Sequence, residues 1–210
     1  MFDILIAGVL LIALLPLLLI IALAIRLSSR GPALFVQQRA GKDGKPFGLY
    51  KFRTMRLDVD PFGPSPKSGE DPRLTRVGRW LREYSLDELP QLANIVEGDM
   101  SLVGPRPLYV SQMAEWNERQ RRRLSVRPGL TGLAQISGRG ALTREEKLER
   151  DVEYVERAGL RLDAAILLAT LVQLCGRQGI YEQKYSQDET IRGEGTLERT
   201  ERTTNVDKRP

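Results

Sequence analysis

The run ILIAGVLLIALLPLLLIIALAI, Ile4–Ile25, carries no charged side chain, and Leu, Ile, Ala and Val fill nearly every position. At about 1.5 Å per residue a helix of this length reaches roughly 33 Å, enough for a hydrocarbon core of about 30 Å. It does not read as a cleaved signal peptide: Asp3 stands where a basic flank belongs, and no small-residue cleavage site follows. Arg26, Arg30, Arg39, Lys42 and Lys45 come directly after it, which places the rest of the chain on the cytoplasmic face of a membrane. Pro16 cannot donate to the carbonyl of Ile12 and its ring crowds that oxygen, so a bend is expected. Two readings follow. One is a kinked spanning helix. The other is a re-entrant helix that breaks at Leu15-Pro16 and returns to the same face, each half about 18 Å long. Freed backbone groups in lipid favour the span, and both readings stay open.

Beyond Arg26 the chain is polar. The net charge of +5 therefore belongs to a soluble part behind an apolar start, a balance suited to an anionic lipid bilayer or to handling phosphates. Aromatic residues make up only 6% and no basic stripe interleaves with them, so nucleic acid is not an expected partner. There is no histidine, which excludes Ser-His-Asp triads, Cys-His pairs and ordinary zinc ligation. The single cysteine, Cys175, cannot form an internal disulfide. It points to a reducing compartment and reads as core packing within an apolar run.

Two strand-like runs, Ala33 to Arg39 and Phe47 to Arg53, flank an Asp43-Gly44 turn and predict a β-hairpin. Residues 58–72 read as a Pro/Gly-rich loop. Helices are expected at Leu74–Tyr84, Asp87–Glu97, Leu108–Leu124 and Thr143–Arg157. A last apolar helix, Ala164–Cys175, has Asp163 as N-cap and Gly176 just past its end. That helix is too short to span and belongs in the core or at the membrane surface. The fold class is α+β: an α-rich, membrane-associated domain with an N-terminal membrane helix and a small hairpin. The organisation reads as a membrane-anchoring helix over 1–28, a catalytic domain over 29–179 and a polar, disordered tail over 180–210.

The chemistry concentrates in three segments. Ser85-Leu86-Asp87-Glu88-Leu89-Pro90 holds adjacent carboxylates beside a proline. Ser85 and Glu88 have capping-box spacing, and Asp87 as N-cap would put Pro90 at the third helical position, where its missing N–H costs nothing. A helix start also attracts phosphate. Gly104-Pro105-Arg106-Pro107 displays an arginine on a stiff loop, and a guanidinium fork fits phosphate oxygens. Arg127–Arg139 is a glycine-rich stretch carrying Gln135 and Arg139. Each has a plain structural reading, and the alternatives remain open on pattern alone.

With Tyr50-Lys51-Phe52-Arg53-Thr54-Met55, Gly98–Pro107 and Asp151-Val152-Glu153-Tyr154-Val155, these segments resemble the bacterial sugar transferase family, the monotopic polyprenyl-phosphate phosphoglycosyl transferases, in its short form. The resemblance extends from the N-terminal helix to about Gly179. It implies transfer of a sugar phosphate from a UDP-sugar to polyprenyl (undecaprenyl) phosphate with release of UMP, as the first membrane step of glycoconjugate assembly. Asp87 would be the nucleophile of a two-step reaction, with Glu88 beside it, and the pair would hold Mg²⁺. Arg82, Pro105, Arg106, Gln135, Arg139 and Asp151 would contact substrates, Arg82 the lipid phosphate and Arg106 the donor phosphates. The location implied is the bacterial inner membrane, cytoplasmic face. The chain departs from the family pattern at Leu15, Leu133 and Ser137, where Ser, Trp and Asn are usual. Two other functions compete: a metal-dependent glycosyltransferase using Asp58-Val59-Asp60 as a D-x-D motif, and a non-catalytic membrane-anchored interaction module. The sequence leaves a homo-oligomer unread.

Overall fold

The computed structural model describes residues 2–60, 66 and 68–176. The expected tail at 180–210 and most of the Pro/Gly-rich loop around 61–67 lie outside the described residues. The chain opens with α1, Phe2–Ser28, a single helix whose backbone continues through Pro16. Its 27 residues give about 40 Å, and it is long and apolar enough to cross a membrane. The backbone does not break at Leu15-Pro16 because a proline removes one hydrogen bond, and neighbouring turns can carry the helix past it.

The course of α1 relative to the domain matters more than its length. At its start, Asp3 accepts a hydrogen bond from the Ser101 hydroxyl. Ala7 is enclosed in the main core with Leu92, Ile95, Met100 and Ile166. Near its end, Ile21 and Ile25 pack on Phe52 and Leu81. Just past its end, the Arg53 guanidinium donates to the Ser29 carbonyl and hydroxyl oxygens. Both ends of α1 therefore rest on the same domain, while Leu5, Val9, Ile12, Leu19, Ile20 and Leu23 point outward.

The hairpin forms where expected: β1, Leu34–Ala40, pairs antiparallel with β2, Pro46–Phe52, with Leu34 opposite Phe52 and Ala40 opposite Pro46. Asp43 and Gly44 both take positive φ in the turn. The next helix, α2, is Arg76–Glu83, capped by Thr75, whose hydroxyl accepts from Gly78 N–H. A 3₁₀ turn over Leu86–Glu88 then leads into α3, Gln91–Glu97. Gly98 closes α3 at φ 89°, and the Asn94 carbonyl accepts from the Asp99 and Met100 amides.

A parallel pair absent from the sequence reading follows: β3, Ser101–Val103, with β4, Gly129–Thr131. Gly104 and Gly129 allow this approach; a Cβ on Gly129 would lie 2.1 Å from the Gly104 nitrogen. The expected helix over Leu108–Leu124 is instead a 3₁₀ stretch, Val110–Glu115, then α4, Glu118–Arg121, then a 3₁₀ turn, Arg122–Ser125. Asn117 starts α4 through a reciprocal cap with Gln120, and extended Trp116 drops into a pocket with Ala40 and Leu148. Beyond β4 come α5, Leu133–Ile136, and α6, Arg144–Arg157, the latter capped by Thr143 and Glu146. The last helix, α7, Leu160–Gly176, starts earlier than expected. Asp163 is not its cap; it lies in the first turn and accepts from the Tyr154 hydroxyl at 2.9 Å.

Asn94, fully enclosed, joins β2 to α3: its Nδ2 donates to the Gly48 carbonyl at 2.8 Å and its Oδ1 accepts from the Tyr50 amide at 3.0 Å. Asn94→Ala strands both backbone groups and is expected to lower unfolding free energy by about 3 kcal/mol. Urea unfolding in detergent measures this, and a loss below about 1 kcal/mol would show that the strand and helix are held by other means.

Candidate active site

The 3₁₀ turn Leu86–Glu88 turns the dyad away from capping. Ser85 takes φ 55°, no side chain caps α3, and Pro90 occupies the position before its first residue. Neither the capping box nor the Asp87 cap forms, so the plain structural reading of the two acids fails. Glu88 reaches back over β2. Its Oε1 accepts from Lys51 Nζ at 3.0 Å and from Arg106 Nη2 at 2.9 Å. Asp87 is only 8% exposed and makes no hydrogen bond or ion pair among the described residues.

The two carboxyls are pushed apart in acidity. Burial, with Glu88 beside it, pushes Asp87 up to about 6, against the pull of Lys51, Arg82 and Arg106. Burial acts on Glu88 too, but the Arg106 guanidinium and Lys51 ammonium outweigh it and hold that carboxyl well below the usual range. Burial in turn depresses the Lys51 ammonium, opposed by Glu88. Glu88 is the ionised partner of two cations, and Asp87 is an open carboxylate with raised basicity.

Arg106 is held from behind. Pro105 is buried, and its carbonyl accepts from the Gly129 amide. Buried Arg123 donates to the Arg106 carbonyl and pairs with Asp151 at 2.6 Å. The Arg123 guanidinium also lies 4.8 Å above the Trp116 ring. Asp151, expected among the substrate contacts, is thus enclosed behind the Arg106 loop, where burial pushes its carboxyl up against the pull of Arg123. It positions Arg106 through Arg123. Arg82 donates from Nε to Thr54 Oγ1 at 3.0 Å and reaches Asp87 electrostatically. Gln135 sits on α5, beside the close approach of Gly132 to the Gly104 carbonyl, with both amide atoms enclosed and unpartnered among the described residues. The Arg139 backbone forms a 3₁₀ turn, Arg139–Ala141; its side chain lies outside the described residues.

Lys51 lies within the Tyr50–Met55 motif, yet the sequence motif alone does not mark it as a site residue. A lysine in phase with Phe47 and Leu49 on the buried face of a strand was the available signal. In the sequence Arg39 stands out only as part of the positive flank after the apolar run. It shares the hairpin face of Lys51 and lies within electrostatic reach of Glu88 and Arg106. Among the described residues no group of three or more acidic or other metal-binding side chains exists. The dyad alone would suit Mg²⁺, which takes one or two carboxylates and completes its shell with water and substrate phosphates. The oxygens left over are both of Asp87 and Oε2 of Glu88. Asp58, of the alternative D-x-D motif, is engaged with its neighbour Arg56 in an exposed ion pair.

The description "Bacterial sugar transferase" matches residues 1–177, and the chain belongs to that family. It is 44% identical over 173 residues to the uncharacterized sugar transferase EpsL of Bacillus subtilis, covering 82% of this chain and 85% of the relative. It is 43% identical over 193 residues to a UDP-glucose:undecaprenyl-phosphate glucose-1-phosphate transferase of Caulobacter vibrioides, covering 85% of this chain and 70% of that enzyme. An undecaprenyl-phosphate glucose phosphotransferase of Komagataeibacter xylinus matches at 44% identity over 186 residues, 81% of this chain. There the chain spans about a third, 34%, of the relative's length. The expected family and the expected enzyme class, a phosphoglycosyl transferase, are met.

The acidity of Asp87 has a stability consequence. Its folded value lies above its unfolded one, so its charge destabilises the fold. The penalty is absent below about pH 4, grows as pH rises to about 6, and is complete above that. Asp87→Asn is expected to stabilise the protein at pH 7 by up to about 3 kcal/mol, with no gain at pH 4. Denaturant unfolding at the two pH values checks this; a destabilised variant at pH 7 would show a structural role for the carboxylate.

Proposed function

We propose that this enzyme transfers a sugar phosphate from a UDP-sugar to a polyprenyl phosphate, through a covalent intermediate on Asp87. The observation that carries the reading is the open, buried Asp87 carboxylate beside a Glu88 already neutralised by Lys51 and Arg106. The names of relatives that cover most of this chain support a UDP-sugar donor and undecaprenyl phosphate acceptor, with UDP-glucose the first donor to test.

In the first step an Asp87 oxygen attacks the β-phosphorus. The bond from that phosphorus to the bridging oxygen breaks, and UMP leaves with the electron pair. In the second step a phosphate oxygen of the lipid attacks the same phosphorus and the Asp87 carboxylate departs. A covalent route divides one difficult transfer into two. Arg106 and Lys51 offset charge on the phosphoryl oxygens, and Arg82 awaits the lipid phosphate. Mg²⁺ on Asp87 and Glu88 would supply further charge neutralisation there. Gln135 and Arg139 remain candidates for substrate contacts.

The unbroken course of α1 supports neither a span nor a hairpin broken at Leu15-Pro16, but a helix laid along one leaflet with both ends on the domain. A spanning helix would carry Asp3 about 33 Å from Ile25 to the far face of the bilayer, yet Asp3 bonds to Ser101 of the domain that Ile25 also touches. The enzyme then rests on one leaflet, the cytoplasmic face of the inner membrane, with its dyad at headgroup depth. A label at position 2 should be reached only from the cytoplasmic side of sealed vesicles; labelling from the other side would sink the one-sided arrangement.

Mixing the protein with UDP-sugars and Mg²⁺, without lipid, should add one sugar phosphate to its intact mass and release UMP. Asp87→Asn should do neither while staying folded. Below about pH 6 the UMP-release rate should fall about tenfold per unit as Asp87 protonates. A rate flat down to pH 4 would remove Asp87 as the attacking group, whereas release of UDP in place of UMP would support the D-x-D alternative.

A further inference from the structure

Arg39 is the one cation of the site's hairpin face held in place without a carboxylate. The register puts Arg39 opposite Phe47, Gln37 opposite Leu49 and Phe35 opposite Lys51, so Arg39 and Lys51 share one face of the hairpin. Lys51 is spent on Glu88. Arg39 forms no ion pair among the described residues, and its Nε is enclosed without a partner. Its partners are neutral. Nη2 donates to Gln37 Oε1, and the guanidinium lies 3.7 Å from the centroid of the Tyr109 ring. Buried Gln37 is itself anchored, donating from Nε2 to the Tyr109 hydroxyl at 3.1 Å.

The backbone brings this group to the Arg106 loop. Arg39 bridges Tyr109, and the Ala40 amide donates to the Leu108 carbonyl at 2.9 Å, immediately after Arg106-Pro107. A half-buried guanidinium held by the Gln37 amide and the Tyr109 ring, with no ion pair among the described residues, is costly in an empty site. A cation–π contact offsets only about 0.5–2 kcal/mol of that cost. The arrangement suits the oxygens of an incoming phosphate, which a planar guanidinium can meet.

Position along the hairpin says which phosphate. At the open end of the hairpin Phe52 packs on Ile21 and Ile25 of α1. At the tip the other face of the hairpin, at Ala40, packs with Trp116 and Leu148, while Phe47, opposite Arg39, joins the cluster that includes Ala7 of α1. Arg82, reached through Thr54 just beyond Phe52, belongs to the open end; Arg39 belongs to the tip end. Arg82 thus stands near Asp87 from the Thr54 end of the hairpin, and Arg39 stands beside the Arg106 loop at its tip. With Arg82 awaiting the lipid phosphate in the reaction proposed above, Arg39, beside the Arg106 loop, is left for the nucleotide donor.

We propose that Arg39, presented by Gln37 and Tyr109, binds the α-phosphate of the nucleotide donor, the phosphate that departs in UMP. This rests on the reaction proposed above and names the nucleotide end of its site. Arg39 contacts the leaving group, while Gln37 and Tyr109 are positioning residues.

Calorimetric binding of UMP and of uridine to the detergent-solubilised full chain tests the assignment without turnover. R39Q should weaken UMP about tenfold or more and leave uridine unchanged, because only the phosphate contact is lost. Q37E, which sets a carboxylate against Arg39, should do the same by capturing the guanidinium, and it serves if R39Q fails to fold. UMP affinity unchanged in these variants, or UMP and uridine weakened equally, overturns the proposal. A wild-type protein that binds UMP but forms no adduct with any donor would defeat the covalent route through Asp87 and leave the Arg39 assignment standing.

Discussion

The dyad's geometry depends on one enclosed amide. Asn94 satisfies a carbonyl and an amide of β2 from within α3, and its own carbonyl terminates that helix. Because both β2 groups are bonded to one rigid planar side chain, the strand cannot slide along the helix without leaving buried polar groups unpaired. Lys51 lies one residue beyond the bonded Tyr50, and the dyad lies just before α3. Fixing strand against helix therefore fixes Lys51 against Glu88. Arg106 then joins the same Glu88 oxygen, carried in by the close approach of Gly104 to Gly129. Three separate chain segments meet on one carboxylate.

That meeting explains the division between two chemically similar acids. Adjacent buried carboxylates cannot both be cheaply ionised. Glu88 takes both contact cations and stays charged, and the proton affinity is displaced onto Asp87. A carboxylate left without hydrogen bonds in a partly dry site is poorly stabilised in its ionised form, which suits the nucleophilic role proposed for Asp87. The surplus of positive charge around the pair, with Arg82 and Arg39 in no ion pair among the described residues, leaves a site short of anions.

Much of the local structure was legible because it is written in short-range chemistry. Asp43-Gly44 specifies the hairpin turn, and Thr143 with Glu146 specifies the start of α6. The same logic misled at Asp87, where capping spacing is present but Ser85 in the left-handed region turns both acids elsewhere. It also misled over 108–124, whose helical periodicity conceals the Asn117 start signal and the burial of Trp116. The β3–β4 pair left no trace, since three-residue strands show no alternation and their pairing is a property of glycines distant in sequence. The motifs named the dyad and Arg106. The partners that tune them, Lys51, Arg123 and Arg39, became visible only once the strand faces and the loop were placed, because an ion pair is a relation between segments.

The path of α1 ties this chemistry to a surface. A helix apolar on its outer side, yet packed on the domain from Asp3 to Ile25, cannot leave the domain at either end. Its outward Leu, Ile and Val side chains need lipid, and its inner side needs α3. The dyad-bearing segment is thereby pinned close to whatever surface takes up α1. Arg53 adds to this at the C-terminal end, where its guanidinium meets the Ser29 carbonyl just past the helix dipole's negative end. Residue 54, the next in the chain, holds Arg82, which faces Asp87. From the end of α1 to the dyad the linkage is Arg53, Thr54, Arg82, Asp87, so in the proposed reaction a lipid-borne phosphate arriving beside α1 would meet Arg82 before the Asp87 carboxylate.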